Sequence, residues 1–213
     1  VDVLAQADDA FIQQEKLAKG TMALIDQPRA ESLYDKMNAS IEASGGSAAN
    51  TIAGIASLGG KAAYIGKVAD DLLGKVFAHD LRATGVKYET APLKGGPSTA
   101  RCLILVTPDA QRTMNTFLGA SAVFQPIDID AAVVESGQVT YLEGYLFDQP
   151  PAKEAFRQAA AVAHKAGRKV SLTLSDPFCV GRHRADFRDL VKNHIDILFA
   201  NEAEICALFE TAE

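Results

Sequence analysis

The sequence predicts an α/β protein: a mostly parallel, Rossmann-type sheet flanked by helices, with a small additional β-sheet over its open edge. Three observations support this prediction. Short β-branched runs alternate with longer helical segments, which is the pattern of βα units. The run IDILF at residues 195–199 is nearly all apolar, as is typical of a parallel strand that is buried on both faces. Asp, Pro and Gly residues mark the helix ends.

Strands and helices alternate through most of the chain. We expect strands at residues 61–69, 139–143, 170–174 and 195–199, and helices at residues 47–58, 71–83, 150–166 and 185–192. Asp70 or Asp71 is the expected N-cap of the helix that ends before Gly85. Ala155, Phe156 and other apolar residues recur at helical spacing in the helix that Gly167 ends.

Two regions interrupt this alternation. Residues 1–26 contain a strand, a short helical piece and the strand-like run TMALI. Residues 99–118 are typical of a β-hairpin with Pro108 and Asp109 at its turn. We expect these extended segments to form a small separate sheet that acts as a lid over the main domain, within a single domain that spans residues 1–213.

Bulk composition excludes several classes of partner. The chain has 213 residues, of which 48% are hydrophobic and 23% are charged, and its formal net charge is −6. Nucleic acids and anionic membranes attract basic surfaces, so neither is an expected partner. No apolar run approaches the roughly 18–20 residues that a membrane-spanning helix needs.

The cysteines indicate a reducing compartment. Cys102, Cys179 and Cys206 are odd in number and scattered, which fits free thiols better than a disulfide framework or a metal cluster. We therefore expect a cytoplasmic protein. The chain opens at Val1 inside an apolar run and closes at Glu213 just after a helical segment, so we expect both ends to be truncated.

The motif SGGSAAN is the first candidate binding element. Gly45 and Gly46 precede the helix predicted at residues 47–58, and Asn50 lies one turn into it. Glycines allow a ligand to approach the backbone, and a helix N-terminus offers free N–H groups at the positive end of its dipole. The alternative is a tight turn that only permits close helix–sheet packing. The motif matches neither a dinucleotide fingerprint nor a P-loop.

The motif NEAE is the second candidate. Asn201 and Glu204 directly follow the apolar strand at residues 195–199, and ligands of open α/β sheets bind at the carboxyl ends of strands. Their oxygen atoms can hold a hydrated Mg²⁺. The alternative is a helix capping box with no other role.

Three further polar residues each allow a structural and a functional interpretation. Arg112 on the hairpin is either a solvated surface charge or a forked donor to a phosphate. Asp2 and Glu143 each end a short strand, so each is either a turn residue or an acceptor for ligand hydroxyls. The apolar residues Met22, Leu24, Leu103 and Phe117 near the predicted lid are candidates for apolar contacts that select a ligand.

The order of these pieces resembles the ribokinase-like family, also called the phosphofructokinase-B family. Residues 45–86 resemble its first signature region, in which Gly-Gly…Asn precedes a helix, a strand ending in G-x-V, an acidic pair and LG. Residues 99–121 are similar to its lid hairpin, and residues 197–209 are similar to its N-x-x-E segment. Within the family, VTYLEGYLFD and LSDPFCVGRHRADF most resemble bacterial adenosine kinases.

The resemblance implies phosphoryl transfer from ATP to a nucleoside or sugar hydroxyl. It implies that Asp2, Gly45, Gly46 and Asn50 bind acceptor hydroxyls, with Glu143 as a weaker carry-over. It implies that Arg112 approaches the transferred phosphate and that Asn201 and Glu204 organise Mg²⁺ and the ATP phosphates. A monovalent cation is left open as an additional cofactor, and a homodimer through the lid is plausible beside catalysis.

One family motif is absent. The family's catalytic base is an Asp in a G-A-G-D motif, and that tetrapeptide occurs nowhere in the 213 residues. We therefore expect these residues alone not to catalyse the transfer and the C-terminal catalytic part to be missing. The alternatives are a non-catalytic nucleoside- or sugar-binding module, a purely structural or assembly role, and a Rossmann-type oxidoreductase, which the missing GxGxxG turn disfavours.

Overall fold

A computed structural model describes residues 1–211, which contain ten strands and nine α-helices. The strands are β1 (Asp2–Gln6), β2 (Met22–Leu24), β3 (Ser40–Ala43), β4 (Ala63–Tyr64), β5 (Lys87–Tyr88), β6 (Arg101–Val106), β7 (Arg112–Phe117), β8 (Val139–Glu143), β9 (Lys169–Thr173) and β10 (Ile197–Phe199). The helices are α1 (Asp9–Gln14), α2 (Gln27–Lys36), α3 (Ser47–Ser57), α4 (Leu72–Ala83), α5 (Ala131–Ser136), α6 (Pro150–Lys165), α7 (Pro177–Arg182), α8 (Arg184–Asn193) and α9 (Glu202–Phe209).

The main sheet is three-stranded and parallel, in the order β10-β9-β8. Its core is the largest cluster of buried apolar side chains in the described chain, and α6 contributes residues at helical spacing to it. Phe147 stacks on Phe187 with ring centroids 4.5 Å apart and also contacts Phe156. The αβ alternation and the parallel strands confirm the predicted fold class.

A five-stranded mixed sheet has the order β2-β7-β6-β1-β3. The pairs β1–β6 and β2–β7 are parallel, whereas β6–β7 and β1–β3 are antiparallel. Helices α1 and α2 cover one face, where Val3, Leu33 and Leu103 are buried. The opposite face is open, and Leu24 and Ile41 on it are 52% and 72% exposed.

The strands of residues 1–26 and 99–118 all lie in this sheet. The hairpin β6–β7 forms where the sequence predicts it, and the Thr107 hydroxyl donates to Asp109 Oδ1 at its turn. Strand β3, which the sequence did not predict, adds a fifth member. Its exposed residues carry no apolar alternation that would have marked it as a strand.

The prediction of a strand over residues 61–69 was wrong in its length. Only Ala63–Tyr64 pairs with β5, and Ala69 makes one isolated bridge to Leu93. Strand β5 offers just two residues, so the ladder cannot continue. The Tyr64 ring lies against Gly66, where an added Cβ would be 2.6 Å from the ring. The same ring packs against Phe77 and Tyr88.

Strand β10 is less buried than its apolar sequence predicts. It is the edge strand of the main sheet, and Phe199 is 54% exposed. Within residues 1–211, no further strand pairs with its outer side. The apolar character of residues 195–199 therefore exceeds what the described part of the chain covers.

The three cysteines are free thiols, as the sequence predicts. Burial raises the pKa of the Cys179 thiol to about 11, so that thiol stays protonated at neutral pH. No helix within residues 1–211 combines the length and the apolar character needed to cross a bilayer.

Asp71, rather than Asp70, caps α4 and ties it to residue 99. Its Oδ1 accepts from the Gly74 N–H at 2.8 Å and the Thr99 hydroxyl at 2.7 Å, and its Oδ2 accepts from the Thr99 N–H at 2.8 Å. Burial alone would raise the pKa of Asp71, but these hydrogen bonds hold it below its ordinary value. Asp70 makes only an exposed ion pair with Lys75.

We expect Asp71→Ala to lower the free energy of unfolding by about 2 kcal/mol, because it removes a helix cap and two hydrogen bonds to Thr99. The neighbouring control Asp70→Ala should change it by less than about 0.5 kcal/mol. A depressed pKa stabilises only above the pKa of the unfolded state, so the loss should shrink below about pH 4. Urea unfolding at several pH values measures both effects; equal losses in the two variants would contradict the assignment.

Candidate functional site

Asp2 and Gly45 meet at the junction between the five-stranded sheet and α3. Asp2 begins β1 and pairs with Ala43, the last residue of β3, so the chain turns at Ser44 directly beside it. A Cβ built on Gly45 would lie 2.1 Å from Asp2 Oδ2, so any other residue would force the Asp2 carboxylate to move. Burial raises the pKa of the Asp2 carboxyl above its ordinary value.

Gly46 presents the N-terminus of α3. Its backbone has φ 101°, a conformation that L side chains rarely adopt, and it is the N-cap without a side-chain hydrogen bond to the first turn. The first-turn N–H groups of α3 therefore lack the usual capping oxygen, which is the arrangement that binds ligand oxygens at helix N-termini. Asn50 lies one turn further and is exposed.

Glu143 ends β8 and is buried, with 9% of its surface exposed. Its Oε1 accepts a short hydrogen bond from the Ser175 hydroxyl, and the Ser47 side chain lies close enough to this carboxyl to lower its pKa. Its Oε2 is buried without a hydrogen-bond partner among the described residues. Burial raises the pKa of Glu143, the two serines oppose that rise, and the nearby charge of Glu204 adds to it.

Ser175 is a site residue that the sequence analysis missed. It follows β9 and has φ 67°, in the left-handed region that non-glycine residues rarely occupy. Strained residues of this kind cluster at functional sites. Its position after a parallel strand, equivalent to the positions of Glu143 and Asn201, is the signal that would have found it. Ser47 was noted only as a helix start, although its side chain lies close enough to Glu143 to lower the pKa of that carboxyl.

Asn201 and Glu204 form a capping box at the start of α9. The Glu204 N–H donates to Asn201 Oδ1 at 2.9 Å, and the Asn201 N–H and Nδ2 donate to the two carboxylate oxygens of Glu204 at 3.1 and 3.0 Å. Glu204 is 6% exposed. The capping interpretation of NEAE is therefore confirmed, and it places a second buried carboxylate near enough to Glu143 to raise the pKa of Glu143.

The surroundings of these carboxylates are electronegative. Burial, and then the charges of Asp176, Glu143 and Glu204, raise the pKa of Tyr145 to about 12. Within residues 1–211, no three His, Cys, Asp or Glu side chains converge as a metal-ligand set. The Glu204 carboxylate, whose oxygens already accept hydrogen bonds from Asn201, fits a hydrated Mg²⁺ held through water better than one bound directly.

Arg112 is not brought together with the other site residues. It is exposed and opens β7 opposite Val106, whereas Asp2 pairs with Cys102. Residues 102 and 106 are four positions apart, or about 13 Å along a strand. Arg112 and Asp2 do share the open face of the five-stranded sheet, because both pair with even-numbered residues of β6.

The four apolar residues that were candidates for ligand contact lie on two different faces of the five-stranded sheet. Met22 and Leu24 are exposed on the open face that also carries Asp2. Leu103 and Phe117 are buried under α2 on the other face, so the expectation that they contact a ligand was wrong. The period of two in a strand separates them, because Leu103 and Phe117 point opposite to Cys102 and Thr116.

Comparisons with known proteins agree with this architecture. The pfkB family carbohydrate kinase model matches residues 26–213. An adenosine kinase from Sinorhizobium meliloti is 53% identical with a TM-score of 0.92, and a probable sugar kinase from Rhizobium etli is 51% identical with the same score. The chain is fully covered in both matches but spans 65% and 64% of those chains.

Curated relatives give the same picture at lower identity. The guanosine-inosine kinase of Escherichia coli is 26% identical over 98% of this chain and 50% of its own length. The probable fructokinase-4 of Arabidopsis thaliana is 31% identical over 62% of this chain and 41% of its own length. The chain thus spans about half or less of these two relatives.

Gly45→Ala should lower the free energy of unfolding by about 1–3 kcal/mol, because its Cβ would overlap the Asp2 carboxylate. Gly54→Ala, inside α3 with nothing within 4 Å of the new Cβ, is the matched control and should stabilise by up to about 1 kcal/mol. Thermal unfolding of both variants checks this. A neutral Gly45→Ala would mean that Asp2 does not hold this position.

Glu143→Gln should become progressively more stable than the unmodified protein as the pH rises above the unfolded-state pKa of about 4.3. The raised pKa of Glu143 means that the folded state holds its proton more tightly than the unfolded state, so ionisation destabilises the fold above the unfolded pKa. Glutamine removes that charge. Chemical unfolding across this range measures the difference, and the exposed Glu154→Gln on α6 is the control that should show no such trend.

Together, the parallel αβ fold, the Gly-Gly turn against Asp2 and the family match over residues 26–213 establish that this chain belongs to the pfkB family of carbohydrate kinases.

Proposed function

We propose that the protein phosphorylates a hydroxyl of a nucleoside or sugar with ATP, and that a nucleoside such as adenosine is the acceptor. The observation that carries this proposal is the orphaned Glu143 Oε2, buried beside the uncapped N-terminus of α3. A buried acceptor without a partner calls for a donor, and an acceptor's hydroxyl groups supply donors. The 53% identity to an adenosine kinase supports the choice of acceptor.

Acceptor hydroxyls are held by polar groups that converge from several elements. In this proposal Asp2 and Glu143 accept hydrogen bonds from the hydroxyls, and the Gly45–Gly46 backbone and Asn50 provide further contacts. Ser175 orients the Glu143 carboxyl through its hydrogen bond, and Ser47 lies beside it. Because such a site leaves buried groups unpaired when a hydroxyl is missing, it discriminates strongly against deoxy analogues.

The open face of the five-stranded sheet is the proposed lid surface. Met22 and Leu24 on this face provide apolar contact for a base, next to the Asp2 carboxylate. Closure of the sheet over the acceptor would exclude water and bring Arg112 from the far end of the same face toward the phosphate. The guanidinium would then stabilise the charge of the transferring phosphoryl group.

Asn201 and Glu204 are the proposed residues for Mg²⁺ and the ATP phosphates. Bound Mg²⁺ neutralises phosphate charge and orients the transferred group. Each carboxylate oxygen of Glu204 accepts one hydrogen bond from Asn201 and has a second lone pair for a metal-bound water. A monovalent cation remains an open addition to this set.

We propose that the catalytic base, which takes the proton of the acceptor hydroxyl, is a residue of the intact protein outside these 213 residues. The family resemblance assigns it to a G-A-G-D aspartate, which these 213 residues do not contain. The chain also spans only 65% of the related adenosine kinase. The 213 residues therefore provide the acceptor side and the lid in this proposal, not the complete catalytic centre.

Cytoplasmic localisation and a homodimer through the lid are part of the same proposal. Three free cysteines suit a reducing compartment. Strands β2 and β3 are the two edges of the five-stranded sheet, and such edges can pair between copies.

The test is a panel of nucleosides and sugars with Mg·ATP on the intact gene product, following ADP release. We expect turnover with a ribonucleoside, and a 2′- or 3′-deoxy analogue should lose about 10⁴-fold in kcat/KM. Silence across the panel with retained nucleoside binding in calorimetry would favour the non-catalytic binding module.

The same assay tests Arg112. We expect Arg112→Ala to lower kcat about 10²–10³-fold, by analogy with removal of a transition-state donor. Arg157→Ala, which breaks only partly exposed pairs with Asp186 and Asp189, is the control and should keep its kcat. An Arg112→Ala enzyme with unchanged kcat would remove Arg112 from the mechanism.

A further inference from the structure

A pocket lies on the covered side of the five-stranded sheet, away from the open face that carries Asp2. It has a volume of about 720 Å³, within the usual range for small-molecule sites. Its walls come from α1, the turn that follows α1, β2, α2 and β7. The polar residues that line it are Gln14, Glu15, Lys16, Arg29, Lys36 and Asn115.

The charge of this lining is positive in a chain that is acidic overall. Lys16, Arg29 and Lys36 carry three positive charges and Glu15 one negative charge, a balance of +2 against −6 for the whole chain. Hydrogen bonds from Arg29 and Lys36 hold the pKa of Glu15 below its usual range, so its charge is fully present at neutral pH. The lining therefore keeps its net positive charge while Glu15 is ionised.

Glu15 does not exhaust the donors of its two partners. Arg29 donates from Nη1 to Glu15 Oε2 at 2.8 Å and from Nη2 to the Glu15 carbonyl at 2.7 Å. A guanidinium has five N–H groups, so three remain without a partner among the described residues. Lys36 Nζ contacts both Glu15 oxygens, at 3.0 and 3.1 Å, and 49% of its side chain is exposed.

Asn115 adds a polar side chain that protein groups leave unsatisfied. It is 2% exposed, lies opposite Ala23 and Leu103 in the sheet, and its Nδ2 has no hydrogen-bond partner within residues 1–211. An orphaned buried amide is unfavourable unless a ligand or water satisfies it. Pure packing at this position would be served better by leucine, because the neighbouring Leu103 and Phe117 are apolar.

We propose that this pocket binds the phosphate group of a small phosphate monoester, through Arg29 and Lys36 with Asn115 at its inner wall. Spare guanidinium and ammonium donors around a net positive pocket match the geometry and charge of a phosphate. The volume exceeds that of inorganic phosphate, which leaves room for the organic part of the ester. The site is separate from the proposed acceptor site and stands whether or not the protein is a kinase.

The test is isothermal titration of the intact gene product with glycerol phosphate and with inorganic phosphate at constant ionic strength. We expect the ester to bind more tightly than inorganic phosphate. Lys36→Gln and Asn115→Leu should each weaken ester binding about tenfold, the loss of one hydrogen bond to a charged group. Lys36→Arg should keep most of the affinity, and Lys75→Gln on α4, whose side chain is 70% exposed, should keep all of it.

Several outcomes would overturn this proposal. These are absence of binding in the unmodified protein, unchanged affinity in both Lys36→Gln and Asn115→Leu, or an equal loss in Lys75→Gln. Thermal unfolding without ligand identifies a misfolded variant, and in that case Lys36→Gln decides, because its exposed side chain can be changed without disturbing the core. Affinity lost instead in Glu204→Gln would assign the phosphate to the other site.

Discussion

A carboxylate that is buried without a cation partner among the described residues organises the candidate site. Glu143, at the end of β8, accepts a hydrogen bond from Ser175 after β9 and lies near the Ser47 side chain at the start of α3. It also lies close enough to Glu204 on α9 for the charge of Glu204 to raise its pKa. Four segments separated widely in sequence thus meet at one side chain. They meet because β8, β9 and β10 are parallel, so their carboxyl ends lie at the same edge of the sheet.

This arrangement lowers the stability of the ligand-free fold and leaves a polar atom available to a ligand. Two buried carboxyls lie near each other, and one oxygen of Glu143 stays unsatisfied, which is unfavourable in the absence of a ligand. The left-handed backbone of Ser175 adds strain at the same place. A bound ligand would stabilise such a site, because it would provide the hydrogen-bond donors that the Glu143 carboxylate lacks.

The five-stranded sheet separates two roles by the alternation of its side chains. One face packs on α1 and α2 and carries the core residues Leu103 and Phe117. The other face carries Asp2 and exposed apolar residues, and it meets the rest of the fold where Gly45 leaves no room for a Cβ beside Asp2. The proposed anion pocket lies on the covered side, so the sheet separates it from the proposed acceptor site.

The sequence by itself determined the fold class and the bounds of α3, α4, α6 and β8 to within a residue, and it singled out the candidate motifs, because hydrophobic periodicity and Asp or Gly caps are local signals. Strand 139–143 and the helix beginning at residue 150 are examples that the structure confirms. Only the tertiary structure decided which candidates meet: it joined Glu143 to Ser47 and Ser175, placed Arg112 about four residues along the sheet from Asp2, and buried Leu103. Strand pairing, register and the facing of side chains depend on residues distant in sequence, and no local pattern specifies them.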